Sequence, residues 1–197
     1  MIRRALISVS DRRGLDKLVE VLASLGVEVV ASSGTAAWLR RAGYRRVMEV
    51  SEYTGFPEAP GGLLKTLHPK IHGGILLNPE NPEHRSYMER WGIEPIDLVV
   101  VNLYPFEEYA ARGGWREAAV GIDIGGPALI RAAAKASLLH GRVAVVVDPS
   151  QYEEVVEGLK RHNGNLPEGL RWRLAVEAFR RTSDYDEAIY RHLMGGG

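Results

Sequence analysis

The chain has 197 residues, no cysteine, and 25 basic against 25 acidic residues, for a formal net charge of zero. This excludes thiol nucleophiles, disulfides and thiolate metal sites, and leaves no electrostatic footprint for nucleic acid or an anionic membrane. The length suits one domain, residues 1–197, with a core that needs no covalent staples.

The start, "MIRRALISVSD", is too short in its apolar part for a secretory signal, and no apolar run approaches the ~20 residues of a membrane span. A soluble cytoplasmic protein is expected. "ALISVS" (Ala5–Ser10) reads as a buried strand. Gly14–Gly26 carries Leu15, Leu18, Val19, Leu22 and Leu25 at helical spacing, with Gly26 as the stop. Val27–Ser32 is a second strand, "SGTAAWLRRAG" a helix ending near Gly43, and "RRVMEVSE" a weaker, edge-like strand. Such alternation indicates a mostly parallel sheet with helices on both faces.

Pro57, Pro60 and a glycine pair make Tyr53–Leu64 a loop. "GGLLKTLHPKIHGGIL" (Gly61–Leu76) is too broken for a plain helix and too charged for a buried strand. "PEHRSYMERWG" is a short helix, and Ile96–Tyr104, the most apolar run, a central strand ended by Pro105. Ile124–Leu139 is a helix with Pro127 placed as its first residue. Arg142–Asp148 is another buried strand, "PSQYEEVVEGLKRHNG" a helix, and Leu170 to Leu193 a long amphipathic helix before a frayed "MGGG".

Ligands of open α/β sheets bind beyond the carboxyl ends of the strands. Those ends carry Ser10, Asp11 and Arg12; Ser32, Ser33, Gly34 and Thr35; and Asn102 and Tyr104. "SSGTA" has two readings, an ordinary helix cap or a phosphate turn. In "DIGGP", Gly125 and Gly126 serve either the turn before Pro127 or the close approach of a ligand. Lys65 stands in a glycine-bounded loop, and Lys135 follows three alanines. His68 and His72, four apart, raise a metal reading that Pro69 and the lack of a nearby third ligand oppose.

The segments "SVSDRRGL", "VASSGTA", "SEYTGFPE", "GGLLKTLHPKIHGGIL", "NLYPF", "IDIGGPALIRAAAK" and "TSDYDEAIYRHL" together resemble the IMP cyclohydrolase domain of the bifunctional purine-biosynthesis enzymes, from about Ile7 to Leu193. The resemblance implies a methylglyoxal-synthase-like α/β fold and ring closure of formyl-AICAR to IMP. It also implies a homodimer, with no metal and no organic cofactor. By position it implies nucleotide contacts at Ser10, Asp11, Arg12, Ser32, Ser33, Gly34, Thr35, Lys65, Thr66, Asn102, Leu103, Asp123 and Ile124, and a catalytic group of Lys65, Tyr104, Asp123 and Lys135. Bare backbone at Gly125 and Gly126 joins the substrate-binding set. The chain departs from the family at Leu63, where arginine is usual, and has Arg12 where lysine is frequent, Ser33 where glycine is, and Ala136 where asparagine is.

The chemistry asks for such groups. A carboxamide nitrogen attacks a formamide carbon within one molecule, so holding the two ends together supplies much of the rate. An oxyanion must be stabilised and protons moved. Tyr104 and Lys65 fit the oxyanion, Asp123 the carboxamide, and Lys135 a proton shuttle whose pKa partial burial would lower. Two rivals stand beside this reading: a methylglyoxal synthase, for which no His-Asp pairing is found at the strand ends, and a non-enzymatic nucleotide-sensing module.

Overall fold

The structure, a computed structural model, describes residues 1–111 and 113–195. The "MGGG" end lies partly outside them, since residues 196–197 are not described. The centre is a five-stranded, all-parallel sheet of order β3-β2-β1-β4-β5. Its strands are β1 (Arg4–Ser8), β2 (Glu28–Ala31), β3 (Val47–Glu49), β4 (Leu98–Val101) and β5 (Ala144–Val146). The most apolar strand, β4, is internal, but the middle position belongs to β1.

Successive side chains of a strand face opposite sides of the sheet. Thus Ala5 and Ile7 join one core, with Val29, Ala31, Leu98 and Val100. Leu6, Val30, Val99 and Val101 join the other. The first face is covered by α1 (Leu15–Ser24), α2 (Ser33–Arg41) and α9 (Tyr152–Arg161). The second is covered by α4 (Pro69–Leu76) and α8 (Gly125–His140). Being covered on both faces, the strands are continuous apolar runs rather than alternating ones.

The last helix, α10 (Glu168–Met194), touches both cores: Leu170 and Leu174 belong to the first, Ala175, Ala178 and Tyr185 to the second. It packs on α8 and β5 and so shields the β5 edge, which explains why an edge strand is buried along its length. At the opposite edge β3 is short and leaves Met48 exposed.

Several local expectations change. α3 (Val50–Thr54) occupies the end of the "RRVMEVSE" strand and the start of the expected loop; a capping box between Glu49 and Glu52 starts it, and Gly55 in the left-handed region stops it. The "broken" segment contains α4, because Pro69 stands at its first position, where a missing N–H costs nothing. After α5 (Pro82–Trp91) and β4 come two short helices, α6 (Phe106–Ala110) and α7 (Trp115–Val120), which the periodicity did not reveal. α8 begins at Gly125, so Pro127 is its third residue. Among the described residues, no helix is long and apolar enough to cross a membrane.

Candidate active site

The parallel register aligns the ends of the strands. Ser8 pairs with Val101 and Ile7 with Ala31, so Ser10, Ser32 and Asn102 emerge at one rim. Asn102 clamps the β1 loop there. Its Oδ1 accepts from the Ser10 N–H at 2.7 Å, the Ser10 hydroxyl at 2.9 Å and the Asp11 N–H at 3.1 Å, and its Nδ2 donates to the Asp11 carbonyl at 2.7 Å. This buried side chain is fully engaged, so its work is to shape the loop rather than to reach outward.

The "SSGTA" turn starts α2. Ser32 is the cap residue, but its side chain accepts no hydrogen bond from a backbone N–H of the first turn. Its hydroxyl donates instead to Thr35 Oγ1 at 3.2 Å, and that buried oxygen accepts from the Val9 N–H at 3.3 Å. The ordinary capping reading is thus not realised, and the first turn of α2 retains its positive end without a side-chain acceptor from the cap residue. Arg12 leans over this turn, donating to the Gly34 carbonyl at 3.2 Å, while its Nε is buried without a partner. Ser33 donates to Glu58 at 2.7 Å. Leu63 lies exposed on the same loop as Glu58 and supplies no charge.

The third part joins two distant loops. Lys65 Nζ donates to the Tyr104 hydroxyl oxygen at 2.9 Å. The next residue, Thr66, is buried with its hydroxyl under Gly125; a Cβ at Gly125 would lie 2.6 Å from Thr66 Oγ1. A Cβ at Gly126 would come within 2.5 Å of Asp123 Oδ2 and 2.7 Å of Leu103 Cδ2. Both glycines are therefore required by close packing as much as by any ligand. Asp123 is half-buried and its Oδ1 accepts the Gly126 N–H at 2.8 Å, which ties the carboxylate to the start of α8. Ile124 is exposed beside it.

A cleft of about 550 Å³ opens between Ser10, Asp11, Asn102, Leu103 and Tyr104 on one side and Asp148, Arg181 and Tyr185 on the other. Its charges are mixed. The hydrogen bond from Arg13 holds the Asp11 carboxyl below the usual range. Burial tends to raise Asp148, but hydrogen bonds from Ser150 outweigh it and bring that carboxyl below its ordinary value as well.

One expectation needs correction. Lys135 is exposed on the outer face of α8, in a shallow depression with Leu76, Arg131, Leu138, Leu139 and Phe179, so the partial burial expected of it is absent in the single chain. The structure does not bring it to Lys65, Tyr104 and Asp123. Pro69 begins α4, which leaves His68 ahead of the helix in extended backbone as its cap, its Nδ1 accepting from the Lys70 N–H at 3.1 Å, while His72 lies within the helix. Among the described residues, no cluster of three metal-ligating side chains exists.

Two residues at the site were not singled out from sequence. Glu58 lies within "SEYTGFPE", and Tyr185 within "TSDYDEAIYRHL", where its spacing marked it only as part of an amphipathic face.

Comparison with known proteins now adds to this geometry. The model of the MGS-like domain family matches residues 14–128, more than half of the chain. The chain belongs to the MGS-like domain family. A second model, the AICARFT/IMPCHase bienzyme, matches residues 133–196 of this MGS-like chain. Among curated proteins it is similar to the bifunctional purine biosynthesis protein PurH of Chelativorans sp. (strain BNC1), 52% identical over 189 residues that make up 95% of this chain and 34% of that protein. The PurH of Brucella canis is 51% identical over the same shares. The chain thus spans about a third of the length of these relatives. Among solved structures it is similar to the crystal structure of ForH, with a TM-score of 0.81, 35% identity, and coverage of 98% of this chain and 100% of that one. The methylglyoxal-synthase-like α/β fold expected from sequence is therefore the fold observed.

Proposed function

We propose that this chain is an IMP cyclohydrolase, closing formyl-AICAR to IMP with loss of water. The observation that carries the reading is the meeting of Lys65 and Tyr104 beside the turn that holds Asp123. The match of residues 133–196 to the AICARFT/IMPCHase model and the purine-biosynthesis relatives support the reaction and the substrate class.

The phosphate end of the nucleotide goes to the first turn of α2, where the helix end and Arg12 are the favourable charges. The cleft beside Asp11 and Asp148 is a poor place for it, because both carboxyls are held in the charged form. The reacting end then lies between Tyr104 and Asp123. Asp123 Oδ2, left over after Oδ1 takes the Gly126 N–H, accepts from the carboxamide NH₂ and orients it. The nitrogen forms a bond to the formyl carbon, and the C=O becomes an oxyanion. Tyr104 O–H, its oxygen held by the Lys65 ammonium, donates to that oxygen, and the Gly125 N–H adds a second donor. The attacking nitrogen gives up one proton, the C–O bond breaks with the oxygen leaving as water, and the former formamide nitrogen gives up its proton as the C=N bond forms, which completes the ring.

Lys135 enters this proposal through a second copy of the chain. Its exposed face also carries exposed Leu138 and Leu139, which a homodimer would cover. The partner's lysine then shuttles the proton. The cysteine-free composition fits a cytoplasmic setting.

The test is ultraviolet absorbance after mixing the purified chain with formyl-AICAR. IMP should form with turnover. Tight binding with no IMP would replace the enzyme with a nucleotide-sensing module.

A further inference from the structure

The catalytic reading leaves α10 without a role, yet one of its side chains reaches the site. Tyr185 is buried, and its hydroxyl oxygen accepts the Asp123 N–H at 2.8 Å while its O–H donates to the Gly121 carbonyl at 3.1 Å. Both ends of the Gly121–Asp123 turn thus rest on one phenol. Burial pushes that phenol's pKa up from a value already well above neutral, so the O–H remains a donor. The ring also meets Phe106 edge-on, with centroids 6.3 Å apart. Phe106 is fully buried and follows Tyr104 by two residues, at the start of α6. One side chain therefore braces the loop of Asp123 through hydrogen bonds and the loop of Tyr104 through packing.

We infer that Tyr185 is a positioning residue that sets Asp123 relative to Tyr104. The inference rests on the cyclohydrolase reading. The turn runs from Gly121 to the start of α8 at Gly125; the Gly126 N–H holds the Asp123 carboxylate from the α8 side, and Tyr185 holds the backbone N–H of the same residue. The aim of the carboxylate depends on both supports, and misplacement by about 1 Å costs up to about a hundredfold in rate. Tyr185 touches no reacting atom; it acts through Asp123.

The experiment uses Tyr185→Phe, which keeps the ring against Phe106 and removes both hydrogen bonds. The expected result is a fall in kcat of about tenfold or more, with the dissociation constant for IMP changed by less than about threefold. In an Asp123→Asn background the same substitution should cost little more, because the group it aims is already gone. Hydrogen exchange of the wild-type Asp123 amide gives a measurement that needs no variant to fold: the amide should be protected. A kcat for Tyr185→Phe within about twofold of wild type, a full additional loss on top of Asp123→Asn, or an unprotected Asp123 amide would each overturn the inference. Failure of the underlying reading looks different: the wild-type chain makes no IMP, or Asp123→Asn turns over normally.

Discussion

Lys65 and Tyr104, thirty-nine residues apart, meet through a 2.9 Å hydrogen bond, with the ammonium 5.3 Å from the ring centroid. The contact joins the glycine-rich loop before α4 to the end of β4 and makes a donor pair of two side chains that are weaker apart. Tyr104→Phe should lower kcat by about a hundredfold, the usual loss of one oxyanion donor. Lys65→Met should do nearly as much, and the double variant should be far from additive because the two act as a unit. Steady-state kinetics of the three variants checks this; simple multiplication of the two losses would mean independent roles.

Lys135 stands about 15 Å along α8 from Gly125, at 1.5 Å per residue. No rotamer spans that gap, so within one chain the amine is far from the Asp123 turn. Chains carrying Lys65→Ala and chains carrying Lys135→Ala should each be nearly inactive. Co-refolded in equal amounts, they should regain about a quarter of wild-type activity, the share of intact sites in a random mixture of two-fold dimers. Absence of any recovery would remove Lys135 from the partner's site.

Glu58 places a carboxylate at the positive end of α2 through its 2.7 Å bond from Ser33. A phosphate arriving there meets a like charge and must displace it. Glu58→Gln should therefore tighten IMP binding by about two- to fivefold, the range expected of one charge at a helix end. Calorimetric titration at low salt measures the change, and weaker binding would show that the carboxylate serves the ligand instead.

His140 is held neutral. Burial lowers its pKa, with the nearby Arg142 charge adding to the effect. Its Nε2 faces the Leu76 carbonyl at 3.3 Å and its Nδ1 accepts the Arg142 N–H at 3.4 Å, an arrangement that fits the neutral ring. Because the folded pKa lies below the unfolded one, the unfolded chain takes up the proton first. Stability contributed by this group is complete above about pH 6.5 and is lost as the pH falls toward the folded value. The melting temperature should drop between pH 7 and 5, and His140→Gln should flatten that slope. An unchanged slope would assign the acid sensitivity to other groups.

Much of this was legible in the chain because it depends on local patterns. Continuous apolar runs such as Leu98–Val101 mark strands buried on both faces, and Gly26 ends α1 because a left-handed residue costs glycine little. Strand order along the chain, with the rule that ligands gather at carboxyl ends, places Ser10, Ser32 and Asn102 at one rim from sequence alone. Other features were decided only in three dimensions. Pro69 looked like an interruption until the chain direction made it the first residue of α4. Asn102 has two readings, a satisfied buried amide or a ligand contact, and only the folding of the β1 loop over it shows its acceptor in use by backbone and the Ser10 hydroxyl. Tyr185 shares its spacing with ordinary core residues, and only the crossing of α10 over α8 and β5 carries its hydroxyl to the Asp123 turn. Periodicity tells which side of an element is buried; it does not tell what lies opposite, because that depends on sheet register and helix crossing, which involve residues far apart in the chain.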